Sequence, residues 1–236
     1  MPIFNRLRIQ QIKTNGMKRY LFYAIGEIVL VVIGILIALQ ISNWNEDRKS
    51  KKFEREILIL LDQNLQSDSA LLTKELYKTQ TAIELTDRLL EKIAQKKYTD
   101  SLNFWMGRII SFERFKSQSS AFEVLKSKGI ENISDKRLQI IFITYYDENL
   151  FKLYESMNDV LSSFNADWIP VIKKDFSDFK WREYHKPNDA KAFFENPTTK
   201  VLFKIYKDNR AGQLRNMKNS LRSISEIRKQ IRLNIK

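Results

Sequence analysis

The hydrophobic pattern of the chain opens with an unbroken apolar run at residues 21–41, in which Glu27 is the one charged side chain. A helix rises about 1.5 Å per residue, so this run would extend about 30 Å, the thickness of a bilayer's hydrocarbon core. A run of this length that is apolar on every face is too long for the core helix of a soluble domain. The pattern therefore predicts a transmembrane helix at residues 21–41.

Beyond this run, apolar residues recur every three or four positions between charged ones, which is the period of an amphipathic helix. No Gly or Pro interrupts the chain between residues 35 and 106. The pattern predicts that the transmembrane helix continues as a stalk helix over about 45–97, bent near residues 66–69. A turn is expected around residues 98–101.

Helix-boundary signals predict two further helices after the stalk. Ser120 followed by Glu123 has the spacing of a capping box, and Gly129 suits the C-terminal cap of the same short helix. Ser134 is predicted to cap a longer helix over about 135–167, in which apolar residues again follow the helical period.

Proline positions divide the remainder of the chain. Pro170 predicts a break or kink, and residues 185–189 are predicted to form a loop. Asn196 and Pro197 suit the N-cap and first position of a final basic helix over about 198–236. The predicted fold class is all-α, with one N-terminal transmembrane helix continuing into an elongated helical bundle and a soluble domain spanning 45–236.

The formal charge of +13 is concentrated at the two ends of the chain. Residues 1–20 carry five Lys or Arg and no acid, which predicts a cytoplasmic topology signal before the span. Residues 200–236 carry eleven basic side chains, Arg210 among them, and two acidic ones, whereas residues 45–199 are balanced. The final helix therefore predicts a basic surface that includes Lys218, Arg222, Arg228, Lys229 and Arg232.

This basic surface has three interpretations. It can be the solvated face of a bundle helix, or it can lie on anionic lipid or an acidic partner. In a cytoplasmic domain it can also bind nucleic-acid phosphates. No base-reading motif accompanies the charge, which disfavours nucleic acid as a partner.

Small residues follow one face of the predicted span. Gly34 and Ala38 form a small-xxx-small pair, with Gly26 on much the same face, and such a face lets a second copy or another membrane protein approach closely. Gly and Ala are also common in membrane helices that do not associate. Glu27 lies on nearly the same stripe, either as a functional intramembrane carboxylate or as a side chain that snorkels toward the headgroups.

The ends of the predicted span are marked by Tyr20, Tyr23 and Trp44, whose rings prefer the headgroup level. The apolar run is longer than that of a signal peptide and lacks a small-residue cleavage site, which favours an uncleaved anchor. Lys and Arg are equally frequent on the two flanks, but the N-terminal flank has no acids. This favours a cytoplasmic N-terminus in the inner membrane and a periplasmic or otherwise extracytoplasmic C-terminal domain.

Two stretches of the chain resemble a known family. The run YAIGEIVLVVIGILIALQI at residues 23–41, followed by NWNE at 43–46, resembles the start of an uncharacterised bacterial family of single-span membrane proteins. SAFEVLKSKG at residues 120–129, with the tyrosine pair at 145–146, is similar to the middle of that family. The resemblance implies an anchor followed by a domain, and it implies no known activity.

Motifs for catalysis and cofactor binding are absent from the sequence. Without Cys there is no thiolate ligand or nucleophile, and the six Gly have no phosphate-binding spacing. The single histidine, His185, would have to carry a zinc site or a catalytic triad alone, and an ordinary loop histidine is the simpler interpretation. We therefore expect no catalytic residue, no cofactor and no metal.

Ten aromatic residues crowd residues 164–206 and either form the distal core of the bundle, which is the favoured interpretation, or line an apolar ligand pocket. They are Phe164, Trp168, Phe176, Phe179, Trp181, Tyr184, Phe193, Phe194, Phe203 and Tyr206.

The expected function is that of a non-enzymatic, membrane-anchored scaffold, sensor or adaptor of the cell envelope, with the lipid bilayer as a partner. One alternative is a cytoplasmic tether that binds nucleic acid or anionic lipid through its basic C-terminal helix. Another is an enzyme whose site has no recognisable motif.

Overall fold

The computed structural model describes residues 17–235 and the side chains from Tyr20 onward. The chain forms two compact units, one ending at residue 53 and one beginning at residue 54. Helix α1, Met17–Ala94, contributes residues to both units. The five basic side chains of the predicted topology signal lie outside the described side chains.

In the first unit, α1 exposes apolar side chains on all its faces. The large apolar residues from Leu21 to Ile41 keep between 46% and 75% of their surface exposed. An 18-residue window of this helix has a mean hydropathy of 2.6, and none of it is buried. By length and composition, α1 is able to cross a membrane.

The second unit is mainly helical. Its elements after α1 are α2 (Ser101–Ile110), α3 (Ser120–Lys128), α4 (Lys136–Ile143), α5 (Leu150–Ser163), α6 (Ile169–Asp175), β1 (Phe176–Lys180), β2 (Tyr184–Pro187), α7 (Ala190–Glu195) and α8 (Pro197–Asn234). Helix α5 lies along α8, α4 and α7 also contact α8, and β2 packs on α2. The all-α fold class is confirmed, with one small β-hairpin added.

A hydrophobic core joins the end of α1 to α2 and α8. Leu89 of α1, Met106 of α2 and Trp168 are fully buried in it. Trp168 packs edge-on against Phe203 and Tyr206 of α8, with ring centroids 4.9 and 5.9 Å apart. The core interpretation of the aromatic cluster is confirmed for five buried members, which are Trp168, Phe193, Phe194, Phe203 and Tyr206. Two members, Phe179 and Trp181, are 43% and 44% exposed.

Two local cap signals are confirmed. The Asn196 side chain accepts a hydrogen bond from the Thr198 N–H at 2.9 Å, and Pro197 is the first residue of α8. Gly129 follows the last residue of α3 with a φ of +102°, a conformation that favours glycine.

Two other cap predictions are wrong because side chains from α1 intervene. Ser134 does not cap α4; its N–H and hydroxyl both donate to Glu54 of α1, and Asp135 is the cap. The capping box predicted for α3 does not form. Instead, Asn64 of α1 accepts a hydrogen bond from the Ala121 N–H at 3.2 Å in the first turn of α3.

The helix does not break at Pro170, so that part of the prediction is wrong, whereas the predicted bend at residues 66–69 stays a prediction. Pro170 lies in the first turn of α6, where a missing N–H is tolerated, directly after a π-helical segment at Phe164–Trp168. A second π-helical segment, Thr144–Asn149, joins α4 to α5. Helix α1 passes through residues 66–69 as regular helix.

The predicted loop around His185 is instead part of an antiparallel hairpin. His185 on β2 pairs with Phe179 on β1, and its side chain is fully buried. The rings of Phe176, Phe179 and Trp181 lie 6.2, 6.0 and 5.4 Å from the imidazole, between centroids. The sequence neighbours of His185 are mostly polar, so the local pattern gave no sign of this burial.

Gly107 sets the distance between α2 and the hairpin. A Cβ at this position would clash with the Glu183 carbonyl group and would lie 2.6 Å from the Tyr184 nitrogen.

We expect Gly107→Ala to lower the free energy of unfolding by about 1–3 kcal/mol in urea titrations, because the backbone must shift. Gly212→Ala is the matched control, since a Cβ there meets nothing within 4 Å. Gly212→Ala should raise the free energy of unfolding by roughly 0.5–1 kcal/mol, because alanine is favoured over glycine inside a helix. Equal free energies of unfolding for the two variants would contradict the prediction.

Burial lowers the pKa of His185 below its ordinary value near 6.5, and the Met106 main chain offsets this only in part. The unfolded chain therefore takes up a proton at a higher pH than the folded chain does. We expect stability to be retained above pH 6.5 and lost as the pH falls toward the lower folded pKa. Melting temperatures measured from pH 8 to about pH 5 should show this loss, and His185→Phe should flatten it. If melting temperature depends on pH in His185→Phe as it does in wild type, the loss of stability comes from other groups.

Candidate functional site

A cavity of about 270 Å³ lies in the second unit between α1, the segment after α2, the hairpin turn and α8. It is slightly smaller than the range of about 300–1,000 Å³ that is usual for small-molecule sites. Its wall is formed by Glu75, Tyr77, Lys78, Thr79, Thr81, Arg108, Ser111, Phe112, Glu113, Arg182, Arg210 and Gln213.

Arg210 is the deepest charged group on this wall, with only 2% of its surface exposed. Its Nη2 donates to the Ser111 carbonyl oxygen at 2.6 Å, and its guanidinium lies 4.9 Å from the centre of the Tyr206 ring. Its Nε has no hydrogen-bond partner among the described residues. Burial lowers the pKa of Arg210, yet an arginine remains charged at neutral pH. The fold thus holds a buried positive charge that is only partly satisfied.

The carboxylates of the cavity are engaged with other cations. Lys78 donates to Glu75 at 3.0 Å and also to Glu113, and Arg182 lies 3.6 Å from the same Glu113 carboxylate. The hydrogen bond from Lys78 holds the pKa of Glu113 below its ordinary value. Glu75 interacts electrostatically with Arg210, while its carboxylate accepts a hydrogen bond from Lys78.

The cavity wall carries more positive than negative charge, because four basic residues (Lys78, Arg108, Arg182 and Arg210) face two acidic ones. Gln213 lies one turn after Arg210 on α8, is 2% exposed, and has an Oε1 without a partner in the described part of the chain. Within residues 17–235, no group of three or more His, Asp or Glu side chains is placed to hold a metal. The chemistry that this arrangement supports is the binding of a small anion.

A second buried polar cluster centres on Asp68 of α1, which is fully buried. Its carboxylate accepts hydrogen bonds from the Ser117 hydroxyl and from the Gln118 N–H, the latter at 2.8 Å. Burial raises the pKa of Asp68 and of the neighbouring Tyr145 and Tyr146 hydroxyls, and the Asp68 charge adds to the shift of both tyrosines. These bonds fasten α1 to the segment between α2 and α3, which indicates a structural role.

The residues predicted for membrane contact lie on the surface of α1. All four candidate packing residues are exposed: Gly26, Glu27, Gly34 and Ala38. A Cβ added at either glycine would meet nothing within 4 Å. Of the predicted interface aromatics, Tyr23 and Trp44 are 59% and 67% exposed, and Tyr20 is half-buried. Their roles in helix packing and at the membrane interface stay predictions.

The predicted basic surface on α8 is divided between exposed and paired side chains. The exposed members are Lys218, Arg222, Lys229 and Arg232. Arg228 is half-buried, and its Nε donates to the Asp62 carboxylate of α1 at 2.7 Å. Part of this charge therefore holds α8 against α1, and binding of lipid or phosphate by the rest stays a prediction.

Arg210 belongs to the basic run of residues 200–236 but is buried, and no sequence motif marked Gln213. The signal that identifies both is their spacing. Between residues 203 and 224, the buried positions of α8 recur every three or four residues: Phe203, Tyr206, Arg210, Gln213, Met217, Ser220 and Ile224. Three of these positions, Arg210, Gln213 and Ser220, carry polar side chains. A charged residue at a core position of an amphipathic helix is the feature that could have located the cavity.

The chain belongs to a family of unknown function (DUF6090), whose profile matches residues 27–164. No curated protein and no solved structure matches the chain. The membership confirms the resemblance to an uncharacterised family. The matched stretch includes the Asp68 cluster and the Glu75, Lys78 and Glu113 side of the cavity, whereas Arg210 lies beyond it.

The Asp68 cluster predicts opposite outcomes for two substitutions. Asp68→Asn removes the buried charge. Its Oδ1 can accept from the Gln118 N–H while its Nδ2 donates to the Ser117 hydroxyl oxygen, so its stability at pH 7 should stay within about 1 kcal/mol of wild type or rise. Asp68→Leu leaves those two donors unpaired and should cost about 1–3 kcal/mol for each. Urea unfolding of both variants checks this. An equal loss in both would mean that the charge itself is required.

Proposed function

We propose that the protein is a single-span membrane protein of the bacterial cell envelope whose second unit is a non-enzymatic scaffold, sensor or adaptor domain. The observation that carries this proposal is the exposure of α1 from Leu21 to Ile41, where no residue of the most apolar window is buried. Apolar surface on this scale is rare on soluble monomers and costs roughly 25 cal/mol for each Å² left in water. A bilayer covers such a helix along its whole circumference.

Among these roles, the cavity favours a sensor. A scaffold or adaptor uses its outer surface and needs no internal space lined by charged residues. The buried Arg210 and Gln213, each with a polar atom unpartnered in the described structure, support a domain that takes up a small molecule. Such a domain can report the presence of the molecule to a second protein.

The orientation that we propose places the N-terminus in the cytoplasm and the second unit outside the inner membrane. It is supported by the five basic residues and the absence of acids at positions 1–20. In this orientation, nucleic acid is not a partner of the basic residues on α8.

Single-cysteine labelling tests the proposed topology, because the chain has no native Cys. Asn188 is exposed directly after β2 and is a suitable position for Asn188→Cys. In cells with a permeabilised outer barrier, we expect a membrane-impermeant maleimide to label this variant before lysis. Asn5→Cys, on the other flank of the span, is the matched control and should be labelled only after lysis.

Each alternative has a distinct result in this experiment. Labelling of Asn188→Cys only after lysis would reverse the orientation and support a cytoplasmic tether that uses the basic residues of α8. Release of the full chain from membranes by alkaline carbonate would contradict a membrane span altogether.

A further inference from the structure

We propose that the cavity beside Arg210 binds a small organic carboxylate that carries a hydroxyl or amide N–H donor next to the carboxylate. This inference deepens the proposed sensor role by naming the class of ligand. It stands on the cavity, on the unpartnered polar atoms of Arg210 and Gln213, which are two of its lining residues, and on the distribution of charge along its wall.

The need for an anion follows from Arg210. A buried guanidinium is costly unless every N–H is hydrogen-bonded, and this one is bonded to the Ser111 carbonyl oxygen but not through Nε. The Tyr206 ring packs against the guanidinium, with its centroid 4.9 Å from the Arg210 Cζ. The edge formed by Nε and a neighbouring Nη matches the two oxygens of a carboxylate.

The charge of the wall indicates a singly charged carboxylate rather than a phosphate ester. Glu75 lies near enough to act on Arg210 through space, and Glu113 lines the same cavity. These two carboxylates are already paired with Lys78 and Arg182, so Arg210 is the buried cation of the wall that is left to a ligand, and one negative charge balances it. A single negative charge meets the unsatisfied guanidinium and leaves the ion pairs of Lys78 intact.

Gln213 specifies the second feature of the ligand. Residues three apart on a helix share a face, so Gln213 and Arg210 reach neighbouring positions in the cavity. The unpartnered Oε1 of Gln213 needs a donor, and the surplus of positive charge on the wall disfavours an ammonium group. Phe112, which packs edge-on against Phe164 at 5.2 Å, provides an apolar wall for the rest of the molecule.

The probe for calorimetry is 2-hydroxy-3-phenylpropionate, titrated into the full chain in detergent micelles at low salt. Two matched probes each lack one feature: 3-phenylpropionate lacks the hydroxyl, and 2-hydroxy-3-phenylpropionamide lacks the charge. We expect saturable binding of the hydroxy acid, a loss of about tenfold without the hydroxyl, and a larger loss without the charge.

Two variants assign these effects to residues. Arg210→Met should abolish binding of the hydroxy acid. Gln213→Leu should retain binding but remove the preference for the hydroxy acid over 3-phenylpropionate. Arg215→Gln is the matched control, because it removes a positive charge from an exposed position of the same helix and should leave the affinity unchanged. Circular dichroism melting checks that each variant is folded. If Arg210→Met does not fold, Gln213→Leu still tests the proposal.

The proposal is overturned if none of the three probes binds saturably below about 10 mM, or if the amide binds as well as the acid. It is also overturned if a folded Arg210→Met variant binds like wild type. Because the purified chain is used, the result is independent of membrane insertion and orientation. Failure here therefore leaves the labelling experiment to decide the envelope role separately.

Discussion

The second unit depends on one constraint, which is that α8 must bury one of its faces along nearly its whole length. Its buried positions run from Thr199 to Ile231. The Tyr206 hydroxyl donates to the Ile110 carbonyl oxygen at 2.8 Å, and Arg228 binds Asp62 at 2.7 Å. These partners are 96 and 166 residues away in sequence, so the apolar faces of the earlier helices are covered only when the last helix is in place.

The same constraint explains why the cavity lies where it does. A stripe made only of apolar residues would pack more stably than one that contains a buried arginine. Arg210 and Gln213 interrupt the stripe between Tyr206 and Met217, and the cavity opens at that interruption. Places where a sequence departs from its own folding pattern are often functional, because their cost in stability is retained for another reason. Here the departure coincides with a space of ligand size and with a surplus of positive charge.

The sequence predicted those features whose interacting residues are neighbours in sequence, and it did not predict those that depend on distant residues. The Asn196 cap of α8 and the apolar helix at Leu21–Ile41 are local features, and both were predicted correctly. Asn64 capping α3 is a contact across 57 residues, and no local pattern encodes it. His185 is buried because a hairpin folds three aromatic rings around it. Of the cavity, only the helical spacing of Arg210 could have been read from the sequence.

The family match covers one part of the cavity wall and leaves out another. The matched stretch ends at residue 164 and supplies Glu75, Lys78 and Glu113, which form ion pairs with one another or with Arg182. The cation that requires a ligand, Arg210, and the acceptor that selects one, Gln213, come from α8 outside that stretch. The matched part of the chain therefore builds the apolar helix from residue 27 onward and the Glu75, Lys78 and Glu113 side of the cavity, while the proposed chemistry of recognition resides in the last helix. It follows that a role for this cavity must be established on the residues of α8, because family membership does not by itself extend it to other members.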